Sequence, residues 1–324
     1  MKLSRMFRKR TFLFWLLALT TAGCVSHRPQ GDPGSAAEAR AVEFLKREVP
    51  AWSREHRCFS CHNNGDAARA LYVAARRGYI VQRSVLADTT AWLAQPNRWR
   101  ENKGEPGFND QRLANLQFGA ALLTAIATGF VNDRRPVAEA ARKIAAYQDA
   151  DGAWRIEPGN AVGSPATYGT ALATSMALST LRQAKAPNTE EAIRRAENWL
   201  WHTPLDNLPA AASLLLAIAT GDVQLRAEPL NLIRRAQTRD GGWGPYADSP
   251  PEPFDTAIVL LALSGSPNQQ ELGEMIQKGR HFLIAQQAPD GSWPATTRPP
   301  GGDSYAQKVS TTAWATLALL ATTE

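Results

Sequence analysis

Apolar and polar positions along this chain recur with the period of a helix and almost never with that of a strand. Residues 137–147, 227–236 and 270–285 set alanines and charged side chains at helical spacing, and a more apolar segment follows each, at 168–181, 255–263 and 310–320. Residues 190–219, with Trp199, Trp201 and Asp206, and residues 84–127, with Trp92 and Trp99, form two further units of this kind. At the front, residues 36–49 read as an outer helix and residues 66–77 as an inner one. Alternating Val/Ile runs bounded by two-residue turns are nearly absent, so an all-α chain is expected. Six helix pairs whose second members are the more apolar predict a closed ring with those members facing inward.

One pattern, Gln-x-x-Asp-Gly-x-Trp, recurs between paired segments. It occurs as Gln148, Asp151, Gly152 and Trp154, as Gln237, Asp240, Gly241 and Trp243, and as Gln287, Asp290, Gly291 and Trp293. The tryptophans are 89 and 50 residues apart, so the first interval holds roughly two repeats. Asp-Gly favours a tight turn, because glycine tolerates positive φ and aspartate bonds nearby backbone amides. The indole and the glutamine amide can satisfy polar groups between helices. The motif is read as structural.

This repeat and its apolar helices resemble the QW repeats of squalene–hopene cyclases and related triterpene cyclases, over roughly residues 84–324. The resemblance implies an α/α-toroid of about six helix hairpins, a fold those enzymes share with protein prenyltransferase β subunits. Its chemistry is another matter. Such cyclases protonate an alkene with the middle aspartate of Asp-x-Asp-Asp. The corresponding stretch, Glu252-Pro253-Phe254-Asp255-Thr256-Ala257, puts Phe254 at the proton donor and keeps only Asp255. The prenyltransferase zinc site needs a cysteine, and none lies beyond Cys61. Cyclase chemistry is therefore not expected, and Asp255 is the one catalytic candidate carried over.

The formal net charge of +6 suggests a basic protein until it is located. Of 36 basic residues, five (Lys2, Arg5, Arg8, Lys9, Arg10) lie in residues 1–23, which leaves 31 against 30 acidic ones. No nucleic-acid surface is implied. The apolar run at 12–19 is shorter than the roughly 20 residues that span a bilayer, so residues 1–23 read as a signal peptide. Ala22-Gly23-Cys24 resembles a bacterial lipobox, which implies lipidation of Cys24; ordinary cleavage near Ala22 with a free Cys24 is the alternative. Residues 24–35 would then be a tether and residues 36–324 the toroid domain.

Cys58-x-x-Cys61-His62 occupies the loop of the first hairpin, where the Trp motifs sit elsewhere. It matches the attachment signature of c-type haem, with two thiolates for the vinyl groups and an imidazole for the iron. A disulfide, a thiol redox pair and half a zinc site compete with that reading. No sixth ligand is evident: Met176, Met275, His202 and His281 are distant in sequence, and His56 is constrained by Cys58. Asp110, Tyr168, Asp206, Asp255 and Ser310 fall near the starts of inner helices. There Asp and Ser serve as N-caps, or the five form a polar collar on an apolar cavity.

The expectation is an exported lipoprotein on the periplasmic side of a bacterial envelope, membrane-anchored through Cys24, with haem c and a redox partner protein. The alternatives are a terpene-cyclase-like enzyme or carrier of an apolar ligand, and a non-catalytic interaction module.

Overall fold

The computed structural model describes residues 33–323 except 103–110, 158–161, 219–222, 266–268 and 299. The expected signal segment, Cys24 and Asp110 lie outside the described residues. No described helix is long and apolar enough to cross a membrane.

Twelve α-helices are described: α1 (Pro33–His56), α2 (Ala68–Arg76), α3 (Arg83–Leu93), α4 (Gln111–Ala127), α5 (Arg135–Ala146), α6 (Gly169–Ala184), α7 (Glu190–Trp201), α8 (Leu208–Ala217), α9 (Val223–Ala236), α10 (Pro253–Ser264), α11 (Gln269–Gln286) and α12 (Tyr305–Ala321). A π-helical turn, Cys61–Ala67, runs directly into α2, and a 3-10 turn spans Pro96–Glu101. No strand occurs among the described residues. Odd-numbered helices form the outer ring. The π-turn with α2 and the other even-numbered helices form the inner one, each packing on the next, and α12 returns to the π-turn and α2. The fold is an α/α-toroid. Helix α1 begins at Pro33, inside the segment expected as tether (24–35); proline suits a helix start because the N–H it lacks would have no partner there.

The two rings differ as their sequences require. Helix α5 buries one stripe, Val137, Ala140, Ala141 and Ile144, and α7 likewise buries Ala192, Ala196 and Leu200. Helix α10 buries every residue from Pro253 to Leu260. A helix apolar all round is stable in water only when enclosed by neighbours.

The three Trp motifs have one geometry. The indole N–H donates to the carbonyl ten residues earlier: Trp154 to Ile144 at 2.8 Å, Trp243 to Ile233 at 2.8 Å, Trp293 to Leu283 at 2.7 Å. The same three backbone N–H groups donate to Thr174, Thr256 and Thr312 on the inner helix that follows. The glutamine amides reach onward to the next outer helix, Gln148 to the Ala192 carbonyl at 2.8 Å and Gln237 to that of Met275 at 2.9 Å. Each motif thus ties three helices together.

The third motif closes the ring. Gln287 Nε2 donates to the Ala37 carbonyl at 2.9 Å and Arg40 donates to Gln287 Oε1 at 2.5 Å, as Arg195 does to Gln148. Helix α1 therefore takes the place that α7 and α11 take for the earlier motifs. A second link lies beside it: buried Arg280 of α11 pairs with buried Glu38 of α1 at 3.6 Å and donates to the Leu319 carbonyl at 2.6 Å.

Candidate functional site

Inside the ring, the first inner element places a carboxylate where apolar packing would be expected. Asp66, in the π-turn, is 2% exposed. Its Oδ1 accepts from the Tyr168 hydroxyl. Its Oδ2 accepts from Gln117 Nε2 at 2.7 Å, Ser310 Oγ at 2.8 Å and Trp314 Nε1 at 3.3 Å. Four elements supply these groups: the π-turn, α4, the start of α6, and α12. Burial pushes the Asp66 carboxyl up to about 6, against the pull of its hydrogen bonds and of the Arg69 charge one turn along α2. The Oε1 of buried Gln117 has no hydrogen-bond partner, so one acceptor beside Asp66 stays unsatisfied.

Ser310 also contacts His62 Nδ1, at 2.8 Å. Because Ser310 donates to Asp66, it accepts from an Nδ1–H, which assigns the neutral tautomer with the proton on Nδ1. His62 is half-buried, and burial lowers its pKa to about 4. Among the described residues Nε2 makes no hydrogen bond, so His62–Ser310–Asp66 runs from a partly exposed imidazole to an enclosed carboxyl. Rings pack around it: Tyr168 and Phe254 both meet Trp314 edge-on, at 5.5 and 5.7 Å. Tyr168 sits at φ 62°, a conformation that costs a bulky residue about 1–3 kcal/mol and is retained where surrounding contacts fix it. The π-turn beneath Asp66 is rare geometry of a sort frequent at functional sites.

The Cys58-x-x-Cys61-His62 loop begins just after α1, where Arg57 takes a left-handed φ of 53°. Cys58 and Cys61 are not joined in a disulfide; Cys58 is buried and Cys61 half-buried. Trp52 Nε1 donates to Cys58 Sγ at 3.3 Å, and the Trp52 ring lies between His56 at 4.0 Å and Tyr305 at 5.5 Å. Phe59 stacks on Trp92 at 4.6 Å. Ser60 caps the π-turn by accepting from the His62 and Asn63 N–H groups. No three His, Cys, Asp or Glu side chains among the described residues converge as a metal-binding group. The donor set suits haem in one respect: a ligating imidazole holds its other nitrogen in a hydrogen bond, as His62 Nδ1 is held by Ser310. The Cys58 sulfur, however, is covered by Trp52, which must leave it for a thioether to form. Of the other ligand candidates, His202 Nδ1 contacts the Asn198 carbonyl at 2.7 Å, His281 is exposed, and the Met176 sulfur lies 4.0 Å from Arg69.

The remaining candidates separate. Asp255 is buried in a cluster of its own, its Oδ2 2.6 Å from Arg298 Nη2, while Glu252 takes Arg298 Nη1 at 2.5 Å. Burial and then the Glu252 charge raise the Asp255 carboxyl to about 7, with Arg298 opposing. Phe254 is a core residue against Trp314. Of the expected N-caps, Asp206, Asp255 and Ser310 do not cap their helices, and Glu252 holds that place in α10. The caps of α8 and α12 are Asn207 and Ser304, one residue after Asp206 and six before Ser310. Asp206 is exposed, whereas Tyr168 and Ser310 belong to the Asp66 network. Asp66, Gln117, Trp314 and Arg69 are the residues that sequence reasoning passed over. A polar side chain inside an inner helix was the available signal, since buried polar groups need partners.

No family model matches the chain, and no curated protein does. Among solved structures the fold is similar to that of MstE, a type II terpene cyclase from Scytonema. A variant of MstE in complex with geranylgeranyl dihydroxybenzoate is 15% identical, with a TM-score of 0.56 over 90% of this chain and 97% of that one. A possible member of the GH105 family from Salmonella enterica is 13% identical, with a TM-score of 0.57 over 91% and 96%. A protein from Actinoplanes gives 15% and 0.56 over 90% and 100%. At these identities the likeness is one of fold.

Proposed function

We propose that this chain is a proton-transfer enzyme of cyclase-like build, acting on an apolar, isoprenoid-like substrate with Asp66 as its acid. The observation that carries the reading is the His62–Ser310–Asp66 chain, which links an enclosed carboxyl of raised pKa to a partly exposed imidazole. The Asp66 O–H bond and the alkene π bond break as the proton adds to one alkene carbon, leaving a carbocation and a carboxylate; the cation then loses a proton from a neighbouring carbon to solvent and becomes a neutral alkene. Tyr168, Gln117, Ser310 and Trp314 already aim donors at that carboxylate. The rings of Tyr168 and Phe254 suit a cation, as the Trp314 ring suits the Arg69 guanidinium 5.3 Å from it. Recovery runs the other way: a solvent proton adds to His62 Nε2, the Nδ1 proton passes to Ser310, and the Ser310 hydroxyl proton passes to Asp66. The fold likeness to a type II terpene cyclase supports this reading over that of an interaction module.

The test is incubation with polyprenyl alkenes, geranylgeranyl dihydroxybenzoate among them, in deuterated water. Product should carry one carbon-bound deuterium, and the rate should fall as pH rises through about 6, where Asp66 loses its proton. No consumption of any alkene on either side of that pH sinks the reading.

A second reading, covalent haem c on Cys58 and Cys61 with His62 as axial ligand, is favoured by one observation: Nδ1 is held while Nε2 is unpartnered. Bound there, haem would supply one-electron transfer. Protein matured in a host that attaches haem should then be red, keep its colour on denaturation, and lose it with Cys58→Ser and Cys61→Ser together. Colourless protein from that host removes this reading and leaves the first intact.

A further inference from the structure

The ends of α2, α4 and α6 enclose a cavity of about 520 Å³ that the proton-transfer reading does not use. Three guanidinium groups line it, Arg69, Arg76 and Arg77, and no carboxylate does. Among the described residues none of the three makes an ion pair. Arg76 and Arg77 are exposed at the end of α2, where a cation offsets the negative end of the helix dipole. That accounts for two charges. It does not account for Arg69, which stands two turns earlier and is half-buried, with its guanidinium 5.3 Å from the Trp314 ring and 4.0 Å from the Met176 sulfur. Such a group has donors to spare in a partly desolvated place, which favours an anionic partner.

The rest of the lining fits an anion with an apolar body. Ser179 Oγ accepts from Gln183 Nε2 at 2.9 Å, which leaves its O–H free to donate into the cavity. Val73, Leu123 and Met176 supply apolar wall. Thr124, Thr128 and Thr180 turn their hydroxyls back onto helix carbonyls and so compete little for a ligand. The volume is that of a small-molecule site. We infer that this cavity binds an amphiphilic organic anion, a phosphate or carboxylate held by Arg69, Arg76 and Arg77 with its apolar portion against Val73 and Leu123. The site is read from direct binding, so it stands or falls apart from Asp66 chemistry.

Titration calorimetry on the full chain with octyl phosphate, inorganic phosphate and 1-octanol tests it. Octyl phosphate should bind best, and added salt should weaken it. Arg69→Gln should reduce affinity about tenfold or more, as loss of a charge-assisted contact does. Arg76→Ser with Arg77→Ser, at exposed positions that leave the fold alone, should weaken it as well. Octanol binding as tightly as octyl phosphate, wild-type affinity in both variants, or no binding of octyl phosphate would each overturn the proposal.

Discussion

Asp66→Asn is expected to lower turnover by roughly 10²- to 10⁴-fold, the usual contribution of a general acid, while favouring the folded state at neutral pH. The two effects share one cause. Asp66 has its carboxyl raised from 3.8 to about 6 by burial, so the folded protein holds that proton more tightly than the unfolded chain does. Its contribution to stability is fully present below the unfolded value and is lost as pH rises through about 6. At 1.36 kcal/mol per unit, the loss by neutral pH is on the order of 3 kcal/mol. His62 has the opposite sign: its folded pKa is lowered from 6.5 to about 4, so its contribution is present above 6.5 and is lost as pH falls through about 4. The network is therefore uncharged between roughly pH 4 and 6, and Asp66 alone carries a charge above that window.

An asparagine fits the same shell. Its oxygen, in the place of Oδ2, can keep the Gln117, Ser310 and Trp314 bonds, and its amide N–H, in the place of Oδ1, can donate to the Tyr168 hydroxyl oxygen. Urea denaturation of both proteins near pH 4.5 and pH 7.5 checks the sign. The variant should gain about 2 kcal/mol on the wild type between the two conditions. Parallel stabilities would mean that Asp66 is not a titrating group of the folded protein, and the acid role would go with it.

The toroid was legible because its repeats are local. A Gln, an Asp-Gly turn and a Trp within seven residues announce each crossing, and the apolar segment after it marks an inner helix. The Asp66 network was not legible in this way. Its members stand 51, 102, 244 and 248 residues from Asp66, and only ring closure brings them together. Ser310 and Tyr168 stand out in the sequence only as groups near helix starts. Asp255 drew attention by family pattern, yet the structure gives it Arg298 and Glu252 as partners and no part in the central network. Gln117 was the better clue, a long polar side chain in a helix otherwise buried on every face. Closure itself left a faint trace: Ala37 and Arg40 repeat the spacing of Ala192 and Arg195 and of Met275 and Lys278.

That closure carries the second large expectation. Gly291→Ala should destabilise the fold by on the order of 3 kcal/mol or more, because two costs coincide. Gly291 sits at φ 91°, where an L side chain is strained by roughly 1–2 kcal/mol. A Cβ there would also lie 2.3 Å from the Arg40 carbonyl oxygen and 2.6 Å from its carbon. Those are backbone atoms of α1, so relief requires moving the helix, and α1 is held by Gln287 at 2.9 Å and by the Glu38–Arg280 pair. Overpacking of that kind adds about 1–3 kcal/mol. Gly301→Ala separates the terms, because Gly301 has a similar φ of 88° with nothing within 4 Å of the added Cβ. In thermal unfolding Gly301→Ala should fall by a few degrees, about 2–4 °C per kcal/mol for a chain of this size, and Gly291→Ala by two to three times as much. Should both variants melt together, the last motif would not be what joins the sixth hairpin to the first. The ring would then owe its closure to the packing of α12 on the π-turn, the same contact that brings Ser310 and Trp314 onto Asp66.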